Sequence, residues 1–92
     1  TIVMNNKSWG AEKAYQKDFF GKRYIGADIS SPPFDKIAQL YGAKGYKVNK
    51  ISEVNQAVKA ALKCNKPAVI DVDVDPKALY SFRRDSFKHR IE

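Results

Sequence analysis

The chain has few of the residues that build disulfide frameworks and metal clusters. Its 92 residues include one cysteine, Cys64, and one histidine, His89. A single cysteine excludes an internal disulfide and a cysteine-rich metal site. No run of about 18 apolar residues could form a membrane span, and the apolar stretch at residues 2–4 is too short for a signal peptide. We expect a cytoplasmic domain with a small buried thiol at Cys64 and no catalytic role for His89.

The composition is nevertheless that of a globular protein. Hydrophobic residues make up 43% of the chain and aromatic residues 12%, which is enough for one small domain with a modest core. The net charge of +7 comes from seventeen Lys and Arg against ten acidic residues. These cations are scattered, with a local cluster only at residues 81–90. A solvated basic surface, or one that faces a phosphorylated ligand, fits this pattern; binding of nucleic acid or another polyanion is the minor alternative.

The apolar pattern predicts alternating strands and helices. Strands are expected at residues 1–4, 45–48 and 68–74, and helices at residues 10–20, 33–42 and 52–64. The first strand begins without a turn or cap, as in a chain whose upstream portion is missing. We expect Pro33 to start the second helix, Gly42 to end it, and Ser52 to cap the third. Such an order predicts an α/β fold, part of a doubly wound parallel sheet with helices on its faces.

Two asparagines, Asn5 and Asn6, follow the first predicted strand. In open parallel sheets, ligands bind beyond the carboxyl ends of the strands. An amide oxygen and backbone carbonyls at that point are hard ligands that suit Mg²⁺ or Ca²⁺. Taken alone, the pair is also typical of an ordinary turn.

The longer string at residues 5–13 (Asn-Asn-Lys-Ser-Trp-Gly-Ala-Glu-Lys) resembles the second half of the thiamine-diphosphate motif. That motif opens with Gly-Asp-Gly and closes on Asn-Asn after an apolar strand. The Trp-Gly-Ala-Glu-Lys continuation is similar to the sulfoacetaldehyde acetyltransferases within this family. Further likenesses follow in order at residues 18–19, 33–34, 43–45 and 82–85. The resemblance implies the carboxyl-terminal part of a diphosphate-binding domain, over residues 1–75, followed by a basic tail at residues 76–92.

The resemblance also implies roles for individual residues. Asn6 matches the asparagine that coordinates Mg²⁺ through its side-chain oxygen, and Ser8 matches a position that adds a backbone carbonyl. Glu12 matches a glutamate that moves protons near the cofactor; its alternative is a helix-start residue paired with Gln16 or Lys13. The expected cofactor-binding residues are Asn6, Ser8, Trp9 and Gly10. Trp9 would shape the substrate end of the pocket, although a core position fits it equally.

The resemblance further implies the reaction and the partners. Sulfoacetaldehyde and phosphate would be converted to acetyl phosphate and sulfite with thiamine diphosphate and Mg²⁺. The Gly-Asp-Gly half of the motif and the activating glutamate are not in these residues. The chain alone should therefore be inactive and should need the rest of a homo-oligomeric enzyme. The alternatives are an acetolactate synthase, a 2-oxoacid decarboxylase, or a non-catalytic basic module that binds polyanions.

Other charged residues are candidate ligands. Arg83 and Arg84 could reach a phosphate or sulfonate, but a solvated basic tail is the favoured interpretation. Asp71, Asp73 and Asp75 alternate along the last strand without a His or Glu partner nearby. We interpret these aspartates as solvated strand-end residues rather than as a second metal site.

Overall fold

The computed structural model describes residues 1–80, and the chain divides into two compact units. The first unit comprises residues 1–6 and 31–74, and the second comprises residues 7–30 with the described chain after residue 74. The elements, in chain order, are β1 Ile2–Asn5, α1 Gly10–Phe19, α2 Phe34–Leu40, β2 Lys44–Val48, a 3₁₀ turn Ile51–Glu53, α3 Val54–Lys63 and β3 Ala68–Asp73.

The first unit contains a parallel sheet with β3 at its centre. The strand order is β1-β3-β2. Ile70 of β3 lies opposite Ile2 on one side and Tyr46 on the other, and both pairings are parallel. Parallel strands need crossover connections, which α2 and α3 help to provide. The predicted α/β class and parallel sheet are therefore confirmed.

The core of this unit lies where α3 packs on β2 and β3. Val48, Ala57 and Ile70 are buried together. Partly buried apolar side chains surround them: Tyr46, Val54, Val58, Ala61 and Val72. The sequence predicts an apolar stripe on this helix at Val54, Ala57, Val58, Ala61 and Leu62. The stripe is confirmed except at its end, because the side chain of Leu62 is 80% exposed.

The start of α3 differs from the prediction. Ser52 lies inside the 3₁₀ turn rather than at the helix N-cap, and the N-cap residue is Glu53 with no side-chain capping bond. The chain tightens into a 3₁₀ turn before the α-helix, as is common at helix termini. The predicted Ser52 cap is therefore wrong.

The end of α2 matches its prediction closely. Gly42 follows the helix with φ of 80°, a conformation that glycine adopts without a steric penalty. Its N–H donates to the Gln39 carbonyl at 3.0 Å, and the N–H of Ala43 donates to the Ala38 carbonyl at 2.9 Å. These two bonds form a Schellman motif, which satisfies carbonyls that the helix leaves unpaired.

The apolar sequence of residues 1–4 predicts a short buried strand, but β1 is less buried than this. Its side chains alternate in exposure, and Met4 is 73% exposed while Asn5 is buried. Ile2 and Met4 project to the same face of the strand, and both side chains are exposed within residues 1–80. The prediction of a short buried first strand is therefore wrong for this part of the chain.

The second unit is built around α1 and the irregular segment that follows it. Ala14 of the helix and Ala27 of the segment are buried. After the helix, Gly21 has φ of 62°, and the N–H groups of Phe20 and Lys22 both donate to the Gln16 carbonyl. The helix predicted at residues 10–20 is therefore confirmed, as is the irregular connection that the Gly- and Ser-containing sequence of residues 21–32 predicts.

The end of the described chain contains no further helix or strand. Residues 76–77 form a turn, and no regular element is assigned over residues 78–80. The expected basic tail extends mostly beyond this point, so Arg83, Arg84 and His89 lie outside the described residues. None of the helices over residues 1–80 has the length and apolar character needed to span a bilayer.

Candidate functional site

The two asparagines at the carboxyl end of β1 have different surroundings. Asn5 is the last residue of the strand and is buried. Its amide nitrogen donates to Oδ1 of Asp71 at 3.3 Å, and its backbone carbonyl accepts a bond from Val74 N at 3.1 Å. Asn6 is the next residue and is only partly buried. Asn5 is therefore anchored to β3 and the residue after it, whereas Asn6 lies just past the strand end.

A short antiparallel pairing surrounds Ser8. Trp9 N donates to the Ala27 carbonyl at 2.6 Å, and Ile29 N donates to the Lys7 carbonyl at 3.1 Å. Ser8 itself lies opposite Asp28. In such a non-hydrogen-bonded pair, the backbone groups of the opposed residues point away from the ladder. The Ser8 carbonyl is therefore directed to the side opposite the 27–29 segment.

The conformation of Lys7 contributes to this turn. Lys7 has φ of 56°, a left-handed conformation that is uncommon for a residue with a side chain. Strain of this type persists where the surrounding structure holds it and is concentrated at functional sites. The bond from Ile29 N to the Lys7 carbonyl is one contact that holds it.

An exposed carboxylate orders the side chains of this segment. Oδ1 of Asp28 accepts from Ser8 Oγ at 3.2 Å and from Lys13 Nζ at 2.5 Å. The Lys13 bond and charge hold the pKa of Asp28 below its ordinary value of 3.8, with burial opposing and the Ser8 bond adding to the effect. Lys13 Nζ also lies 5.0 Å from the Tyr24 ring centroid. Because the Ser8 hydroxyl serves Asp28, the backbone carbonyl is the better candidate ligand at this residue.

Trp9 and Gly10 begin α1. Trp9 is the N-cap residue and Gly10 the first helical residue. The Trp9 side chain is 60% exposed, so it does not belong to the core of the described chain. Its exposure leaves the indole accessible to a ligand.

Glu12, in the first turn of α1, lines a groove of about 450 Å³ in the second unit. The other lining residues are Tyr15, Gln16, Phe20, Arg23 and Ile25. Within residues 1–80, the Glu12 carboxylate makes no hydrogen bond or ion pair. A carboxylate in a groove that also contains a guanidinium is accessible to solutes and able to accept or donate a proton.

The alternative partners expected for Glu12 are engaged elsewhere. Lys13 pairs with Asp28. The side chain of Gln16 donates to the Ile25 carbonyl at 3.0 Å and accepts from Ile25 N at 3.3 Å. The pairing of Glu12 with Gln16 or Lys13, which is the alternative interpretation of this residue, is therefore wrong. The position of Glu12 near a helix N-terminus is still electrostatically favourable.

The three aspartates in and after the last strand have different surroundings. Asp71 is fully buried, and it accepts bonds from Asn5 and from Phe34 N, the latter at 3.1 Å. Lys47 Nζ lies 3.4 Å from Asp71 and 2.7 Å from Asp73. Only Asp75 is an exposed turn residue, whose Oδ1 accepts from Lys77 N. The prediction of strand-end solvation is therefore wrong for Asp71, because three donors compensate its burial.

The pKa of Lys47 is changed by its contacts with Asp71 and Asp73. The hydrogen bond to Asp73 raises the pKa of Lys47, and the charges of Asp71 and Asp73 raise it further, while burial lowers it. No group of three or more His, Cys, Asp or Glu within residues 1–80 could hold a metal ion. The aspartates of β3 bind amide and ammonium donors.

Comparison with known protein families identifies the domain. A family model described as the C-terminal TPP binding domain of thiamine pyrophosphate enzymes matches residues 1–72. Thiamine pyrophosphate is another name for thiamine diphosphate, and the match covers well over half of the chain. The chain belongs to this family. The family predicted from residues 5–13 is confirmed, and the domain is a thiamine-diphosphate-binding domain of an enzyme.

Individual relatives are similar over nearly the whole chain. Sulfoacetaldehyde acetyltransferases of Castellaniella defragrans and Alcaligenes xylosoxydans xylosoxydans are each 35% identical over 94 residues, covering 98% of this chain. A probable acetolactate synthase large subunit of Methanococcus aeolicus is 31% identical over 80 residues, covering 86%. The aligned segments span 16%, 16% and 13% of these relatives' own lengths. The chain thus corresponds to about one-sixth of the acetyltransferases.

Proposed function

We propose that this chain is part of a longer thiamine-diphosphate-dependent acyltransferase that converts sulfoacetaldehyde and phosphate to acetyl phosphate and sulfite. The observation that carries the proposal is the 35% identity to two sulfoacetaldehyde acetyltransferases over 98% of the chain. The chain would supply residues that bind the metal and the diphosphate. The rest of the site would come from the remainder of a homo-oligomeric enzyme.

The proposed metal ligands are the Asn6 side-chain oxygen and the Ser8 backbone carbonyl. Both are hard oxygen donors of the kind that Mg²⁺ accepts beside substrate phosphates. Asn6 follows the carboxyl end of a parallel strand, where ligands bind in sheets of this class. The Ser8 carbonyl is directed away from the 27–29 segment. These features fit Mg²⁺ bound together with a diphosphate.

Glu12 is the proposed proton-transfer residue. Thiamine diphosphate, when bound, supplies the carbon centre that stabilises a carbanion. The protein's share is to orient the reactants and to move protons, and the Glu12 carboxylate lines an open groove with no partner in the described chain. We propose that Trp9 borders the substrate end of the pocket and that Gly10 contacts the cofactor at the start of α1.

An acetolactate synthase is the second candidate, because the 31% identity to the Methanococcus aeolicus protein covers most of the chain. The experiment is a direct substrate comparison with the purified full-length enzyme, thiamine diphosphate and Mg²⁺. Sulfoacetaldehyde with phosphate should yield acetyl phosphate and sulfite in equal amounts, and pyruvate should yield no acetolactate. Acetolactate from pyruvate, without acetyl phosphate from sulfoacetaldehyde, would refute the acetyltransferase proposal.

The cofactor site has its own test. In the full-length enzyme, Asn6→Ala should weaken Mg²⁺-dependent binding of thiamine diphosphate at least tenfold, as expected for loss of one of few protein ligands. The unliganded enzyme should keep its melting temperature, because Asn6 lies outside the core. Calorimetric titration of the cofactor at fixed Mg²⁺ measures the effect. Unchanged affinity would show that Asn6 is only a turn residue.

A further inference from the structure

We propose that Asp71 is a positioning residue, which holds the end of β1 so that Asn6 presents its side chain to the metal and diphosphate. The inference rests on the proposed function, because it assumes that Asn6 is a ligand. It concerns a residue that contacts neither metal nor substrate in the proposal. Its basis is the buried hydrogen-bond cluster that connects Asp71 to Asn5.

Asp71 joins three separate elements of the first unit. Its side chain is fully buried at the centre of β3. Oδ1 lies 3.3 Å from the Asn5 amide nitrogen of β1 and 3.4 Å from Lys47 Nζ of β2, and Oδ2 accepts from Phe34 N of α2 at 3.1 Å. One carboxylate therefore ties both neighbouring strands and the start of a helix to the central strand.

The chemistry of these contacts makes the arrangement specific. All three partners are donors, and an ionised carboxylate only accepts. An amide at this position would turn its NH₂ group toward at least one donor. Because a buried polar group without a partner is unfavourable, each donor is held where it can reach Asp71. Asn5 is therefore confined to the side-chain conformation that points to β3.

Asn5 is fixed at a second point as well. Its backbone carbonyl accepts from Val74 N at 3.1 Å. With the side chain bound to Asp71 and the carbonyl bound just beyond β3, the residue cannot rotate without breaking one of these bonds. These two bonds therefore fix the direction in which the backbone continues from Asn5 to Asn6. In this way the buried carboxylate of Asp71 would position Asn6, the proposed metal ligand.

The test uses the full-length enzyme and measures binding rather than turnover. Thiamine diphosphate is titrated calorimetrically at a series of Mg²⁺ concentrations. Asp71→Asn should raise the Mg²⁺ concentration needed for half-maximal cofactor binding about tenfold, the lower end of what residues that orient metal ligands contribute. Asp73→Asn is the matched control, because Asp73 lies on the same strand and binds the same Lys47. Asp73→Asn should change the Mg²⁺ concentration needed for half-maximal cofactor binding by less than about twofold.

A double-mutant cycle separates positioning from general destabilisation. Asn5→Ala removes the same hydrogen bond from the other side and should also shift the Mg²⁺ dependence. If Asp71 acts through Asn5, the double variant should be no worse than the more affected single variant. Independent structural damage would instead make the two shifts add. Melting temperatures of the unliganded variants are recorded alongside.

The outcomes separate this inference from the function on which it rests. If Asn6→Ala weakens cofactor binding while Asp71→Asn and Asn5→Ala match the wild type, the positioning role is wrong and the cofactor site stands. If Asn6→Ala has no effect, both are wrong. Should Asp71→Asn fail to fold, Asn5→Ala decides alone, since normal Mg²⁺ dependence in that variant overturns the inference.

Discussion

Of the two glycines in the first unit, Gly45 of β2 is the one at which an added methyl group should disturb the packing more. A Cβ built on Gly45 would lie 1.9 Å from the Asp35 backbone carbonyl oxygen, 2.6 Å from its carbon and 2.9 Å from its Cα. All three atoms belong to the backbone of α2, so no side chain can rotate away. To reach even 3.0 Å from that oxygen, the helix or the strand must move by about 1 Å.

The expected cost of Gly45→Ala follows from this displacement. Inserting a methyl group into a packed interface typically costs about 1–3 kcal/mol, and backbone contacts place this site at the upper end. Gly42→Ala is the matched comparison. A Cβ at Gly42 meets no atom within 4 Å, but its φ of 80° is strained for alanine, at a cost of roughly 1–2 kcal/mol. Gly45→Ala should therefore lower the free energy of local unfolding more than Gly42→Ala does.

Hydrogen exchange measures these costs in a large protein, because it reports local opening free energies for individual segments. In the full-length protein, Gly45→Ala should accelerate exchange in α2 and β2 by about 30-fold or more, the equivalent of roughly 2 kcal/mol. Amides of α1, in the second unit, serve as the internal control. Exchange in α2 as slow as in the wild type, or slower than in Gly42→Ala, would refute the close approach of Gly45 to Asp35.

Three further predictions concern the second unit and the chain as a whole. Glu12→Gln in the full-length enzyme should reduce turnover at least about 100-fold with little change in cofactor affinity if Glu12 moves protons, and turnover within about threefold of the wild type would exclude that role. Because Lys13 lowers the pKa of Asp28, Asp28 contributes stability above its unfolded pKa of about 3.8, and that stability is lost as the pH falls through the lowered folded value. The difference in melting temperature between the wild type and Asp28→Asn should therefore shrink below about pH 4. A difference that does not change with pH would contradict the ion pair. The isolated 92-residue chain, supplied with thiamine diphosphate and Mg²⁺, should form no acetyl phosphate, and measurable turnover would contradict the proposal that the site needs the rest of the enzyme.

Short-range patterns in the sequence were sufficient to predict most helices and strands of the first unit. Helix periodicity located α2 and α3, and Gly42 marked a helix end because glycine adopts a positive φ readily. The Ser52 cap failed, since a capping residue type also suits a 3₁₀ turn and the sequence does not say which hydrogen bonds form. The parallel sheet followed from alternation of strands and helices, which depends on pattern rather than on single contacts.

Long-range contacts explain what the sequence could not predict. Asp71 lies in an apolar strand, and its burial is possible only because Asn5, Phe34 and Lys47 bring donors from distant parts of the chain. The strand register that places Lys47 beside Asp71 would have indicated one of these donors, but register is set by tertiary packing. One signal was present: an aspartate between Ile70 and Val72 in a predicted interior strand needs a partner, because a buried charge is costly.

The short segment from Asn5 to Ser8 is held at each end by an aspartate of its own unit. Asp71 binds the side chain of Asn5 in the first unit, and Asp28 binds the hydroxyl of Ser8 in the second. The two contacts should respond differently to salt. Asp28 is exposed, so its bonds to Ser8 and Lys13 are weakened by ionic screening, whereas the buried cluster around Asp71 is largely protected from it. High salt should therefore loosen the Ser8 end before the Asn5 end, and exchange of the Trp9 and Ile29 amides, which pair across Ser8, should accelerate while that of Val74 stays constant.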